Sequence, residues 1–250
     1  MEYSIKPKRL GERRIIHYPQ KRIIGLYETR MNMYLEQAKR ELTNQSKSSG
    51  LKTSEVRRLS ANMFRNIKNE SIDNVFRLCN DFLDDHSWEM GVIAFDWAYR
   101  MRAQYTKETF DIFESWLLEY VRGWGDCDDF CTHAVGELLC QFPELFERVT
   151  KWTDNNEFWM RRAAAVTLIP ALFKERYSSF DPFVVSDALM YDKHDLVQKG
   201  YGWMLKIYSY KEFDKVYEYL KRNRETMPRV AFRYAMEKMP EDIRKELLKK

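Results

Sequence analysis

The sequence is poor in the residues that interrupt helices, and it has no long apolar run. Only 9 of its 250 residues are glycine and 7 are proline, whereas average usage would put glycine alone near ~7%. So few turn-forming residues disfavour an all-β fold, which needs many hairpins. The longest apolar stretch, residues 163–173, is interrupted by Thr167 and Pro170. It falls short of the ~20 residues of a membrane-spanning helix, so none is predicted.

Cysteine is also scarce. The four cysteines, at positions 79, 127, 131 and 140, are too few to form a disulfide framework in a chain of this size. Reduced thiols are typical of a cytoplasmic protein, and the first residues lack the apolar segment of a secretory signal. We therefore expect a cytoplasmic location.

What the chain does contain is aromatic surface and a basic leading segment. It has 15 Phe, 15 Tyr and 7 Trp, enough to build a sizeable core. Residues 1–22 carry seven Lys/Arg against two acidic residues, whereas the remainder carries 35 basic and 36 acidic residues. Residues 1–25 are thus predicted to form a basic arm. Such an arm can contact phosphate, or it can be a solvated tail.

From about residue 26 onward the apolar residues follow a helical spacing of three and four, with no sustained alternation. Short turn signals divide this region into a long first helix over about 26–43 and a series of helix pairs. The predicted pairs span about 51–84, 88–121, 126–152, 156–190, 195–223 and 226–249. Pro143, Pro182, Pro228 and Pro240 are predicted to mark helix starts.

Repeated two-helix units of this length cannot cover their own apolar faces, so neighbouring units must stack. The sequence therefore predicts an all-α fold, an α-solenoid of HEAT-like or armadillo-like helix pairs, in one domain over residues 26–250. A solenoid of this kind binds extended partners, either nucleic acid or protein.

Three carboxylates follow Trp124 within five residues, at a predicted break between helices. Asp126, Asp128 and Asp129 have a structural interpretation, because acidic residues near a helix N-terminus complement the free N–H groups and the dipole. Trp124 lies between two glycines, which leaves it free to face a cleft. Carboxylates on one helical turn offer at most two metal ligands from a suitable direction, so no divalent-metal site is predicted.

The nearby Cys127, Cys131 and His133 lack a second ligand pair at the spacing of a structural zinc site. Core packing is the better interpretation of Cys131, and no metal or other cofactor is predicted.

Two further segments carry candidate functional residues. Arg161 and Arg162 are adjacent and point ~100° apart on a helix, so one can reach a carboxylate in a neighbouring repeat and the other a phosphate. Solvated surface positions are the alternative. Gly200 and Gly202 precede Trp203, and each costs about 1 kcal/mol inside a helix. Either close helix packing or the close approach of a ligand explains them.

Three segments together resemble one family. They are Trp124 with Asp128 four residues later, Trp152-x₆-Trp159-x₂-Arg162-Ala-Ala, and Lys199-Gly-x-Gly-Trp203. In this order they resemble the AlkD-type DNA alkylation repair glycosylases, a HEAT-like family. The segment from Gly50 to Arg57 and Arg58 is similar as well, so that the resemblance covers residues 26–225.

The resemblance implies excision of positively charged N3- and N7-methylpurines from duplex DNA. It implies that Asp128 is the catalytic carboxylate and that Trp124 and Trp203 form the aromatic walls of the cleft. DNA contacts are predicted at five basic residues, namely Arg57, Arg58, Arg161, Arg162 and Lys199.

Two other hypotheses remain open at the level of sequence. Gly123 and Gly125 stand where the family pattern usually has Asn and Asp, and related subgroups resemble proteins that bind DNA structures. A non-catalytic HEAT-repeat protein that binds damaged or branched DNA is therefore the second hypothesis. A scaffold for protein interactions, without nucleic acid, is the third.

Overall fold

The computed structural model describes residues 33–44 and 51–249. The basic arm predicted for residues 1–25 lies outside the described residues. Every regular element in the described ranges is helical, which confirms the all-α prediction. In these ranges no helix combines the length and the apolar character needed to cross a bilayer.

The described α-helices are numbered here in chain order. They are α1 (33–44), α2 (Thr53–Phe64), α3 (Ile72–Leu83), α4 (Trp88–Arg100), α5 (Thr109–Glu119), α6 (Trp124–Phe130), α7 (Gly136–Gln141), α8 (Phe146–Thr150), α9 (Phe158–Val166), α10 (Ile169–Phe173), α11 (Phe183–Ala188), α12 (Asp195–Ser209), α13 (Phe213–Arg222), α14 (Arg229–Ala235) and α15 (Glu241–Leu248). A π-helix, Cys131–Val135, joins α6 to α7.

Helices from successive repeats stack side by side. The helices α2, α4, α6, α9, α12 and α14 contact one another in that order, while α3 packs on α4 and α13 packs on α12. This is the predicted solenoid. Its core runs along the whole stack, because the apolar face of each helix is covered by the next repeat. Aromatic rings join neighbouring repeats, as where Phe95 of α4 stacks on Phe130 of α6 at 4.3 Å.

The proline signals are confirmed. Pro182, Pro228 and Pro240 each immediately precede a helix, α11, α14 and α15 respectively, and Pro143 begins a short 3-10 turn. A proline suits these positions because the first turn of a helix does not need its N–H.

The predicted break before α6 is confirmed, because residues 120–123 are not helical, Gly123 is extended and α6 begins at Trp124. The apolar residues at positions 130, 134, 138 and 142 have the spacing of one continuous α-helix, but the π-helix interrupts this segment. A spacing of three and four cannot reveal a single wider turn, because the flanking residues keep their apolar pattern.

The two glycines before Trp203 serve close helix packing. A methyl carbon at Gly202 would lie 2.7 Å from the Ala231 carbonyl oxygen and 2.7 Å from the Cβ of Tyr234, both on α14. At Gly200 it would lie 3.1 Å from Cγ of Arg162 on α9. Of the two explanations that the sequence left open, the structure supports helix packing.

This packing makes a prediction about stability. Gly202→Ala is expected to destabilise the protein by about 1–3 kcal/mol, because backbone atoms of α14 must shift to admit the methyl group. Gly125→Ala is the matched control, since nothing lies within 4 Å of a methyl carbon there. The control is expected to be neutral or slightly stabilising. Urea unfolding of both variants measures the difference, and equal effects would contradict this account.

A half-buried carboxyl on α3 makes stability depend on pH. Burial, together with the charge of Asp84, raises the pKa of Asp81 to about 6, and its Oδ2 atom has no hydrogen-bond partner. Because the folded pKa lies above the unfolded one, the folded state binds the extra proton. Stability is therefore lost as the pH rises from about 4 to about 6.

Asp81→Asn is expected to remove this loss. Near pH 4 the variant should melt close to the temperature of the wild type. Above pH 6 its melting temperature should be about 2–4 °C higher, which corresponds to a gain of about 1 kcal/mol in the free energy of unfolding after screening by solvent. Melting temperature against pH measures the effect, with the exposed Glu218→Gln as control. A difference that is constant across the pH range would refute the assignment.

Candidate active site

The first turns of α6 present Trp124 and Asp128 on one face. The two residues are four apart, which places them one above the other on a helix. Trp124 is the first residue of the helix and exposes 56% of its surface. A methyl carbon at the flanking Gly123 or Gly125 would have no atom within 4 Å, so the chain on both sides of the exposed indole is uncrowded.

Asp128 is held by Arg162 of the neighbouring repeat. Arg162 donates from Nε to Oδ1 and from Nη2 to Oδ2, both at 2.7 Å. The Arg162 residue is only 5% exposed, and the Asp128 side chain keeps 18% of its surface accessible. Burial opposes the charge of the guanidinium, but the hydrogen bonds and charge of Asp128 outweigh it and raise the pKa of Arg162. The pair is a two-point, charge-assisted contact.

Arg162 also contacts α12. Its Nη1 donates to the carbonyl oxygen of Leu196, and its Cγ packs on Gly200. Leu196, Gly200 and Trp203 follow a helical spacing along one face of α12, and Trp203 is partly buried against the core. One buried side chain on α9 therefore links α6 and α12, the two helices that carry the three predicted catalytic residues.

A second ion pair lies beside the first. Arg57 of α2 donates to Oδ1 of Asp129, and Nη1 of Arg57 lies 3.5 Å from Nε2 of His133. The other ring nitrogen of His133 lies 2.8 Å from the carbonyl oxygen of Asp129, which can only accept, so this nitrogen carries the proton. Burial raises the pKa of Asp129, and the charges of Arg57 and His133 oppose that rise.

The two adjacent carboxylates therefore pair with different neighbours of α6. Asp128 pairs with α9 and Asp129 with α2, as expected for consecutive helical residues. The π-helix follows at Cys131, and Thr132 donates to the carbonyl oxygen of Asp128 at 2.6 Å. Short π-helical segments within α-helices often occur at functional sites. Neither the Asp128 nor the Asp129 side chain caps the N-terminus of α6, although the sequence allowed that structural interpretation.

The other basic residues predicted to contact DNA lie on three different helices, α2, α9 and α12. Arg161 donates from Nε to Asp192 at 2.5 Å and from Nη1 to two carbonyl oxygens of the loop before α9. Lys199 donates to Asp195 at 2.8 Å, and Arg58 is exposed on α2. The structure brings only Arg162 into contact with Asp128. DNA contact by the basic residues stays a prediction.

The remaining motif residues belong to the core. Trp152 donates to Oε1 of Glu114 at 2.7 Å, and Trp159 donates to the carbonyl oxygen of Leu117 at 3.2 Å. Cys127 is fully buried and its thiol donates to the Trp159 carbonyl oxygen, while burial raises the pKa of the thiol. All four cysteines are free and buried. Within residues 33–44 and 51–249 no three His, Cys, Asp or Glu side chains group as a metal site would require.

Sequence reasoning missed the contact between Arg57 and Asp129. The residues are 72 apart, which is about two repeat lengths, and no motif in the sequence pairs them. The contact between Asp128 and Arg162 had a signal, because their separation of 34 residues is close to the repeat length. Residues one repeat apart on stacked helices are neighbours in space.

Known proteins provide the comparison. The family model described as DNA alkylation repair enzyme matches residues 27–239. A solved structure titled "Predicted DNA alkylation repair enzyme from Enterococcus faecalis" has a TM-score of 0.66 and 17% sequence identity, and the match covers 84% of this chain and 96% of that one. At this identity the likeness supports the fold. No curated protein matches the chain.

Proposed function

The chain belongs to the DNA alkylation repair enzyme family, which gives it a role in the repair of alkylated DNA, and on that premise we propose that it is a DNA glycosylase. Its substrates are positively charged N3- and N7-methylpurines in duplex DNA. The observation that carries the proposal is the Asp128 carboxylate, fixed at both oxygens by buried Arg162 and still partly accessible.

The reaction is hydrolysis of the bond between the purine nitrogen and C1′ of the deoxyribose. The bonding electron pair leaves with the base, which cancels its positive charge, and positive charge develops on the sugar. The oxygen of a water molecule then bonds to C1′ and releases a proton. The products are the free methylpurine and an abasic sugar. Because the cationic base is already a good leaving group, the protein has mainly to stabilise the sugar cation and place the water.

Asp128 performs both tasks in this proposal. Arg162 occupies one direction at each carboxylate oxygen, and each oxygen keeps further lone-pair capacity for a water or a developing cation. Arg162 also keeps the carboxylate in one orientation, so it need not reorganise during the reaction. Trp124 and Trp203 supply aromatic faces, which attract cations. Arg162 is thus a positioning residue in this proposal, and its contact with DNA stays a prediction.

Release of free base from methylated duplex DNA by the purified protein tests the proposal. We expect release by the wild type, together with DNA affinity that falls steeply with salt, since binding neutralises several phosphates. No release with salt-dependent binding intact would refute the glycosylase and support the non-catalytic DNA-binding hypothesis. If the protein neither releases base nor binds DNA, the remaining hypothesis is a scaffold for protein interactions.

A further inference from the structure

Arg57 joins α2 directly to α6, although α4 lies between these two helices in the stack. Its partner, Asp129, is 72 residues away. A cavity of about 10 Å³ at this contact is lined by both residues together with Phe95, Asp96 and Tyr99 of α4. The curvature of a solenoid follows from the rotation between successive repeats. A side chain that connects two helices across a third therefore restrains the curvature at this point.

His133 of the π-helix is the third member of this cluster. Its Nδ1 atom carries a proton, because this atom lies 2.8 Å from the carbonyl oxygen of Asp129, which can only accept. In the neutral ring Nε2 then has a free lone pair. This lone pair faces Nη1 of Arg57 at 3.5 Å. One guanidinium is thus shared between a neutral imidazole and the Asp129 carboxylate.

A second proton on His133 reverses this contact. Nε2 becomes a donor, and its positive charge faces the guanidinium of Arg57 across 3.5 Å. The protonated ring has an alternative partner, because its Nδ1 lies 3.5 Å from Oδ1 of Asp129, the oxygen that Arg57 holds. Two cations then compete for one carboxylate oxygen. The Arg57 side chain is 35% exposed, so its charge stays hydrated when it leaves.

The groups of α4 that face His133 do not balance the added charge. Asp96 already accepts from Arg100 at 2.7 Å and from Ser60 at 2.5 Å. Tyr99 contributes the edge of its ring, whose centroid lies 5.8 Å from that of the imidazole. The charge of this carboxylate is therefore engaged by a cation of its own helix.

The acids on the other helices around the π-helix are paired as well. Glu137 of α7 is four residues beyond His133 and is bound by Lys174, which follows α10. Asp128 of α6 is bound by Arg162 of α9. The charges of these groups cancel while the imidazole is neutral. Protonation of His133 adds a positive charge, and Arg57 is the cation that the ring faces.

We propose that Arg57, Asp129 and His133 form a proton-sensitive latch between α2 and α6. While His133 is neutral the latch is closed, and Arg57 is bound to Asp129. When His133 takes a proton from the solvent, the ring donates to Asp129 and Arg57 is released to water. A histidine ordinarily changes charge between about pH 5 and 8, so the latch responds near neutral pH.

Opening of the latch has two consequences. The restraint across α4 is lost, so the repeats on either side are free to change their angle. The helix α6, which also carries Asp128, is then held from the α9 side by Arg162 but no longer from α2. The latch requires no DNA and no reaction, so its test is independent of the proposed glycosylase.

A double-variant cycle measured at two pH values tests the latch. Urea unfolding of Arg57→Gln, Asp129→Asn and the combined variant gives the factor by which each side chain changes the other's effect on the unfolding equilibrium constant. We expect this factor to be about tenfold near pH 8 and about twofold near pH 5.5, where His133 is charged.

The same cycle in a His133→Asn background should give one factor at both pH values, because asparagine cannot become charged. Its amide still donates to the Asp129 carbonyl oxygen in place of Nδ1. His194→Asn is the matched control. His194 is the N-cap of α12 and asparagine also serves as an N-cap, so the factor should fall with pH there as in the wild type.

A factor that is equal at both pH values in the wild type would overturn the proposal. So would a fall that persists in His133→Asn, because it would assign the pH dependence to Asp129, whose own pKa is raised by burial. Hydrogen exchange gives a second measurement without a change at Arg57 or Asp129. Relative to α14 and after correction for intrinsic rates, α2 should exchange about fivefold faster near pH 5.5 than near pH 8. His133→Asn should abolish this difference, and its absence in the wild type would refute the latch.

Discussion

Asp128→Asn should release methylated purine from duplex DNA roughly 10²–10³-fold more slowly than the wild type, which is the loss typical of removing one preorganised electrostatic group. The amide keeps the size of the side chain and removes its negative charge. The sugar cation then loses its stabilising partner. Single-turnover release of base from methylated duplex measures the change.

DNA binding by the same variant should persist or tighten, because a negative charge has been removed near the phosphates. Asp214→Asn is the matched control, since it makes the same chemical change at an exposed position of α13. Unchanged release in Asp128→Asn would remove Asp128 from the mechanism. Loss of DNA affinity together with release would show that the carboxylate supports the fold rather than the reaction.

Arg162→Ala is expected to lower the free energy of unfolding by about 3–5 kcal/mol, the usual cost of breaking a buried ion pair from one side. The change leaves Asp128 without its cation and the Leu196 carbonyl oxygen without its donor. It also empties the space against Gly200. Urea denaturation measures the loss, and base release should fall with it because Asp128 is no longer held.

A double-variant cycle separates the two effects. Once Asp128 is an asparagine, removal of Arg162 no longer exposes an unpaired carboxylate, so the combined loss should be smaller than the sum of the single losses. Arg58→Ala, at an exposed site on α2, should change stability by no more than ±0.5 kcal/mol. Strict additivity of the Asp128 and Arg162 losses would contradict the pairing seen in the structure.

Much of the fold follows from local patterns in the sequence. The scarcity of glycine, the spacing of apolar residues and the prolines at 182, 228 and 240 predicted helices, their order and several of their starts. These signals work because helix formation depends on neighbours three and four residues away. The same reasoning missed the π-helix, since a single wider turn leaves the apolar spacing on either side of it unchanged.

In the candidate site, too, some features follow from the sequence and others only from the tertiary structure. By itself the sequence determined the all-α class and the stacking of repeats, because both depend on periodicity. The resemblance to the AlkD-type family singled out Asp128, Trp124 and Trp203 as candidate catalytic residues. Only the tertiary structure decided which carboxylate has which cation: Arg162 for Asp128, Arg57 for Asp129 and none among the described residues for Asp126. Ion pairs between repeats form where side chains meet in space, and that meeting depends on the packing of α2, α6 and α9 rather than on any local pattern.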